Sequence, residues 1–209
     1  MNSKKKFIVA ICSLGVVALG AIIALIAVIA AFNATTTGGF KITYSAKNVK
    51  ATVAASYKVM PRTTDTPQDY SYTVIKSGEG NSATDLITFS DDDTDSEVTK
   101  SFNSVGSIAL DKDEYMYIHY VITNTDTDTT NGPAFNVIAD TEITKSNMTV
   151  EYASSEGSTS WATSVDGLIP ATGVKPGESI DIYVRIGVET LTSGASFDGS
   201  FNFQLVIVE

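Results

Sequence analysis

Two patterns of apolar residues divide the chain. From Phe7 to Phe32 no residue is charged and nearly all are apolar, whereas from Phe40 onward apolar and polar residues alternate in short stretches. As a helix rising ~1.5 Å per residue, the first stretch would extend ~39 Å, which is enough to cross a bilayer. We therefore predict an N-terminal hydrophobic helix that serves as an export signal or as a membrane anchor.

The alternating stretches predict β-strands. Every second residue is apolar from Val49 to Val59, and the same period of two recurs from Ile180 to Val188. The stretch from Tyr115 to Asn124 is apolar on both faces, which is typical of a strand in the middle of a sheet. Loops rich in Gly, Pro, Asp and Ser separate these stretches. We predict an all-β domain, an antiparallel β-sandwich of the jelly-roll or immunoglobulin-like kind.

These patterns predict three parts. Residues 1–30 are a signal peptide or membrane anchor, residues 31–39 are an N-terminal extension, and residues 40–209 are the β-sandwich domain. A domain of this length can bury a sizeable core. One folded domain is therefore the simplest organisation.

The residues around the apolar run predict its orientation and its processing. Lys4–Lys6 precede it and would stay in the cytoplasm, so the rest of the chain is exported to the cell surface or the extracellular space. Small residues predict signal-peptidase cleavage between Ala30 and Ala31. The run is longer than the ~7–15 apolar residues of a typical removable signal, so a retained anchor stays open. Lipidation of Cys12 is disfavoured, because the bulky Ile11 precedes it.

Composition excludes several classes of partner and chemistry. Without the three leader lysines, the exported part has 11 basic residues against 24 acidic ones, a formal net charge of −13. Nucleic acids and anionic lipid surfaces need clustered Lys and Arg, so neither is an expected partner, and contact with a membrane is expected only through residues 7–32. The exported part has no cysteine, which excludes disulfides and thiolate chemistry.

The junction behind the apolar run resembles that of a known family. The run ends in Ala30-Ala-Phe-Asn33, a short polar spacer follows, and a strand then begins at Phe40 with Ser45-Ala-Lys47 beyond it. These features, the Lys175-Pro-Gly-Glu178 turn and the strand that ends at Asn124 resemble the TasA and camelysin family of secreted bacterial proteins.

The resemblance implies a jelly-roll subunit that assembles into extracellular fibres with copies of itself. The N-terminal segment of one subunit would complete the sheet of the next as a donor strand, which is a form of β-strand addition. Residues 31–39 would then be the donor, and Phe32, Asn33 and Phe40 would contact the neighbouring subunit. The alternative is that residues 31–39 are only a disordered spacer.

The sequence contains few residues suited to catalysis. His119 is the only histidine, so a His-Glu-x-x-His zinc motif is excluded, and its place between Ile118 and Tyr120 is typical of a structural strand residue. The chain lacks the Gly-x-Ser-x-Gly pattern of a serine nucleophile. A pair of catalytic carboxylates stays open, although no pair is singled out. We expect no enzymatic activity and no organic cofactor.

Calcium is the one ligand for which the sequence offers a candidate site. Asp91, Asp93 and Asp95 alternate as the first carboxylates of a calcium loop do. Ser96 and Phe102 stand where an EF-hand requires glycine and glutamate, so that motif is excluded. A looser site shared with Asp126 and Asp128 stays open beside the alternative, a solvated acidic loop.

Two functional hypotheses follow. The first is an exported cell-surface structural protein, a subunit of an extracellular filament or biofilm matrix that polymerises by strand donation. The second is a monomeric surface binding module that an uncut helix from Phe7 to Phe32 holds in the membrane. An enzyme ranks third.

Overall fold

The computed structural model describes eleven segments of the chain, which are residues 34–35, 41–46, 49–63, 69–90, 98–106, 108–139, 143–146, 148–165, 167–170, 172–188 and 196–208. Almost all regular structure within them is β-strand, which confirms the all-β prediction for these residues. None of the helices in these segments is long and apolar enough to cross a membrane. The predicted N-terminal helix and its cleavage site between Ala30 and Ala31 lie outside the described residues.

The described segments contain thirteen strands and one short 3-10 helix, connected by turns and loops. The 3-10 helix is Gly80–Ser82. The strands are β1 (Ala34–Thr35), β2 (Lys41–Ala46), β3 (Ala51–Pro61), β4 (Thr73–Val74), β5 (Leu86–Phe89), β6 (Val98–Phe102), β7 (Ala109–Leu110), β8 (Glu114–Asn124), β9 (Phe135–Ala139), β10 (Ile143–Ser146), β11 (Met148–Ala153), β12 (Ser179–Val188) and β13 (Ser196–Ile207).

A six-stranded antiparallel sheet contains most of the strongly alternating stretches. Its order is β11-β12-β8-β3-β4, and β5 also pairs with β3. Strand β8 lies between β3 and β12, with Ile122 opposite both Val53 and Ile180. The prediction that the stretch from Tyr115 to Asn124 forms a central strand is therefore confirmed. Alternation places Ile118, Ile122, Val53 and Val184 on one face, where they are buried, and Tyr57 and Ile180 pack partly buried against them.

A five-stranded sheet has the order β10-β13-β2-β6, and β9 also pairs with β13. Strands β2 and β13 run parallel, with Ile42 opposite Phe201 and Tyr44 opposite Phe203. The other pairings in this sheet are antiparallel. Strands β1 and β7 form a separate two-stranded ladder.

The buried residues of both sheets belong to one hydrophobic cluster with an aromatic centre. The Tyr44 ring stacks on that of Phe203 at 5.4 Å between centroids, and the Tyr120 ring meets Phe203 edge-on at 5.2 Å. Such ring pairs contribute about 0.5–1.5 kcal/mol beyond their burial. Within the described part of the chain, neither the Tyr44 nor the Tyr120 hydroxyl has a hydrogen-bond partner, and burial raises the pKa of both tyrosines.

Candidate functional site

The described part of the N-terminal extension forms a strand that pairs with a second strand of the same chain. Ala34 lies opposite Leu110 and Thr35 opposite Ala109, in an antiparallel pairing that we call the tail ladder. Leu110 is fully buried in the hydrophobic cluster, so the partner strand β7 is fixed to the core. The remaining residues predicted to contact a neighbouring subunit, Phe32, Asn33 and Phe40, lie outside the described residues.

A groove lies between the edge strands of the two sheets. Its volume is about 780 Å³. It is lined by Ser77, Gly78, Thr84–Thr88, Lys100 and Ser101. Lys100 of β6 reaches across, its Nζ donating a hydrogen bond of 2.5 Å to the Thr88 carbonyl of β5. Ser77 Oγ donates to the Ser101 carbonyl at 2.8 Å, so side chains rather than backbone pairing connect the two edges at these points.

Of the carboxylates predicted to bind calcium, the structure describes only those of Asp126 and Asp128. Asp91, Asp93 and Asp95 lie outside the described residues, and among those described there is no group of three His, Cys, Asp or Glu side chains that could hold a metal ion. Asp126 and Asp128 instead organise their own loop. Asp126 Oδ1 accepts a hydrogen bond from the Asp128 N–H at 2.9 Å.

The Asp128 carboxylate is likewise occupied within the loop. Its Oδ1 accepts hydrogen bonds from the Asn131 N–H at 2.9 Å and the Thr130 N–H at 3.1 Å. These backbone donors, Asn131 first, lower the pKa of Asp128 because they stabilise its ionised form. Local turn formation therefore accounts for the two acids nearest the end of β8.

Asn124, at the end of β8, holds this loop to a second one. Its side chain is 1% exposed, and its Nδ2 donates to the carbonyls of Pro133 and Val174, each at 2.9 Å. Its Oδ1 accepts a hydrogen bond of 3.0 Å from the Asp126 N–H. The amide nitrogen and the amide oxygen of Asn124 therefore both make hydrogen bonds that fix the two loops.

The backbone of Asn124 connects to the turn from Lys175 to Glu178. Its N–H donates to the Glu178 carbonyl at 3.0 Å, and its own carbonyl accepts from the Gly177 N–H at 2.9 Å. Gly177 has φ +80°, the left-handed conformation that the third position of a type II turn requires. The turn and the end of β8, two of the features that carry the resemblance, therefore form one joint.

The face of the six-stranded sheet turned away from the core has a cluster of aromatic and charged residues, which we call the outer-face cluster. Arg185 lies 4.4 Å from the Trp161 ring centroid and 4.9 Å from that of Tyr115, and its Nε donates to Glu151 Oε2 at 2.8 Å. The Tyr117 ring meets Trp161 edge-on at 5.9 Å. Cation–π contacts of this kind contribute about 0.5–2 kcal/mol each.

His119 lies at one end of this cluster. Its Nε2 is 2.6 Å from Asp181 Oδ1, and its ring stacks on that of Tyr183 with centroids 4.2 Å apart. Within the described residues, His119 has no hydrogen bond to a serine hydroxyl, although Ser56 is its neighbour on β3. His119 is therefore a strand residue with contacts to both neighbouring strands.

Sequence reasoning missed the centre of the outer-face cluster. Lys58 is 5% exposed and contacts Glu156, which lies in the loop after β11, while the Lys58 ammonium lies 4.6 Å from the Tyr72 ring centroid. The period of two places Lys58 on the face away from the core. The pattern does not indicate that residues from two distant loops cover that position.

Comparisons with known proteins return no relatives: no family model, no curated protein and no solved structure matches the chain.

Proposed function

We propose that the chain is an exported cell-surface structural protein, a subunit of an extracellular filament or matrix that assembles with copies of itself. In this proposal the two sheets pack face to face as a β-sandwich, and the N-terminal extension of one subunit pairs with β7 of the next. The proposal develops the hypothesis that the junction around Ala30-Ala-Phe-Asn33 suggests.

The tail ladder is the observation that carries the proposal. Within the described residues, β7 pairs with β1 alone, so the backbone groups of Ala109 and Leu110 depend on the extension for their partners. An element that pairs with its own domain can make the same contact with a second copy, and exchange of identical elements is a low-cost route to assembly. Strand addition supplies the affinity through main-chain hydrogen bonds.

Cysteine trapping tests which copy supplies the strand. Thr35→Cys and Ala109→Cys would be combined in a Cys12→Ala background, since paired positions of an antiparallel ladder lie within disulfide range. Donation between copies predicts a series of covalent multimers on non-reducing electrophoresis that collapses to monomer on reduction. Filaments in negative-stain micrographs should disappear when residues 31–39 are deleted.

A matched pair of cysteines provides the control. Thr123 and Ser179 are partners on β8 and β12, with their hydroxyl oxygens 2.7 Å apart, and neither strand is part of the extension. Thr123→Cys with Ser179→Cys should close within one chain and stay monomeric. If the Thr35 and Ala109 cysteines also close only within one chain, and the particles stay monodisperse at every concentration, strand donation is wrong.

The alternative function is a monomeric binding module on a retained membrane anchor. The observation that favours it is a pair of exposed apolar side chains, Val74 at 48% and Leu86 at 46%. They lie on β4 and β5, which both pair with β3. Exposed apolar side chains that lie close together often mark a contact surface. Mass spectrometry of the exported protein separates the two functions, because the anchored module begins at Met1 and the free subunit at Ala31.

A further inference from the structure

A buried lysine lies at the centre of the outer-face cluster. Lys58 extends from the middle of β3, and its side chain is 4% exposed down to the ammonium. The ammonium contacts Glu156 Oε1 and lies over the Tyr72 ring. A charge withdrawn from water in this way is costly unless a partner compensates it fully.

The partner comes from a loop that folds back on its own strand. Tyr152 and Ala162 exchange two backbone hydrogen bonds of 2.7 and 2.8 Å, which close the chain between them into a compact loop. Glu156 lies in this loop, and its side chain is 27% exposed. The loop therefore delivers a carboxylate from beyond β11 to a lysine on β3.

The contact between the two groups lacks the geometry of a hydrogen bond. Glu156 Oε1 is buried and, despite the adjacent ammonium, has no hydrogen bond of standard geometry, and neither has the buried Tyr72 hydroxyl, although the Glu156 carboxyl lies close enough to it to help raise the pKa of Tyr72. Two buried polar oxygens are thus unsatisfied beside one buried ammonium. Native structures rarely leave such groups without an explanation.

Aromatic rings shield the site from water. Burial is the main cause that raises the pKa values of Tyr72, Tyr117 and Tyr183, and the charge of Glu156 adds to the effect at each. The nearby Arg185 forms its salt bridge with Glu151. Tyr72 therefore keeps its proton at neutral pH and faces the carboxylate as a neutral hydroxyl.

We propose that Lys58 and Glu156 are joined by an amide bond between Lys58 Nζ and Glu156 Cδ, an intramolecular isopeptide cross-link. The ammonium gives one proton to the carboxylate, the resulting amine adds to Cδ, and the carboxyl oxygen leaves with the second amine proton. One C–N bond and two O–H bonds form, one C–O bond and two of the three N–H bonds break, and one water molecule is released. The step consumes no oxidant, reductant or cofactor.

Three features of the site favour this reaction. The reacting groups are held in contact, and fixed proximity of this kind is equivalent to effective concentrations of about 10⁵–10⁸ M. Because water is excluded, the charged pair of ammonium and carboxylate is less favoured over the neutral amine and acid than it is in solution. The Tyr72 hydroxyl can pass the amine proton to the leaving oxygen, because it gives one proton as it takes another.

The cross-link would connect distant parts of a chain that has no disulfide in its exported part. It joins β3 to the loop after β11, across a separation of 98 residues between positions 58 and 156. An amide is insensitive to reductants, unlike a disulfide. Because the bond lies within one chain, it does not depend on filament formation.

Intact-mass spectrometry of the full exported chain tests the proposal. The wild-type protein should weigh about 18 Da less than its sequence mass, the loss of one water. Proteolysis should yield a branched peptide that contains both Lys58 and Glu156. A folded wild-type protein at its full sequence mass, without that peptide, overturns the proposal whatever the variants do.

Two variants assign the mass loss to this site. Lys58→Met replaces the buried stem with one of similar shape and should restore the full sequence mass. It keeps Asp166-Gly167 and Asp198-Gly199, which can also lose water, so a loss that persists in Lys58→Met contradicts the cross-link. Tyr72→Phe keeps the ring and should lower the linked fraction at equal times, whereas an unchanged fraction contradicts its part in the proton transfer.

Discussion

Replacement of Asn124 by Ala tests the joint at the end of β8. The variant loses three hydrogen bonds, which are those from Nδ2 to the Pro133 and Val174 carbonyls and that from the Asp126 N–H to Oδ1. The Val174 carbonyl still accepts a longer hydrogen bond of 3.2 Å from the Phe135 N–H, so it is not left unsatisfied. At about 0.5–1.5 kcal/mol for each lost bond, we expect unfolding free energy to fall by about 2–4 kcal/mol.

Thermal and urea unfolding followed by circular dichroism would measure this loss. A domain of this size loses about 2–4 °C in Tm for each kcal/mol, so Tm should fall by roughly 4–16 °C. Thr123→Ala, one residue earlier, removes a single exposed hydrogen bond to Ser179 Oγ and should cost less than about 1 kcal/mol. Equal stabilities of the two variants would show that Asn124 does not hold the loops.

Asn124→Asp makes the test sharper because the shape of the side chain is kept. The carboxylate would face the two carbonyl oxygens to which Nδ2 now donates hydrogen bonds. This variant should therefore be less stable than Asn124→Ala at neutral pH. Its folded-state pKa would be raised, and the deficit should shrink as pH falls through that pKa and the acid becomes a donor. A deficit that does not change with pH would contradict the assigned geometry.

Two further substitutions test the packing on either side of the six-stranded sheet. Gly187→Ala should destabilise the domain by about 1–3 kcal/mol in the same unfolding assay, because a Cβ there would overlap the Tyr115 ring, whereas Gly157→Ala meets nothing within 4 Å and should be neutral. Tyr120→Phe should stabilise it by about 1 kcal/mol or more, since the buried hydroxyl it removes has no partner in the described structure, and a loss of stability would instead indicate a bridging water between Tyr120 and Tyr44.

The sequence predicted the strands whose buried face is uninterrupted. In β3 the alternating residues Ala51, Val53 and Ala55 are buried at the pleat period, and in β12 so are Ile182, Val184, Ile186 and Val188. The period breaks near the end of β3, where Lys58 and Met60 of the opposite face are buried as well. Strand β6 was missed although Phe102 is buried, since Lys100 occupies a position on the core-facing side of the pattern. Because β6 lies at the sheet edge, the Lys100 ammonium can extend away from the core and donate a hydrogen bond to the Thr88 carbonyl.

Non-local pairing and the centre of the outer-face cluster could not be predicted in the same way. The parallel pairing of β2 with β13 joins strands from opposite ends of the domain, and periodicity carries no information about which strands meet. Lys58, Tyr72 and Glu156 come from three separate parts of the chain, and each alone is typical of a solvated surface. Only the closed loop after β11 shows that they meet.

The tail ladder and the Lys58–Glu156 site place opposite demands on the same domain. Strand donation requires the extension to leave its own β7, and the two paired residues of the ladder are easily separated. A domain that releases one strand must keep the rest of its sheets intact, and residues 31–209 contain no cysteine with which to do so. A cross-link from β3 to the loop after β11 leaves β1 and β7 unconstrained.

The cross-link therefore stabilises the body of the domain without opposing exchange. We expect Lys58→Met to lower the unfolding temperature, while the covalent multimers trapped through Thr35→Cys and Ala109→Cys still form. Loss of those multimers in a folded Lys58→Met protein would show that the two sites are coupled.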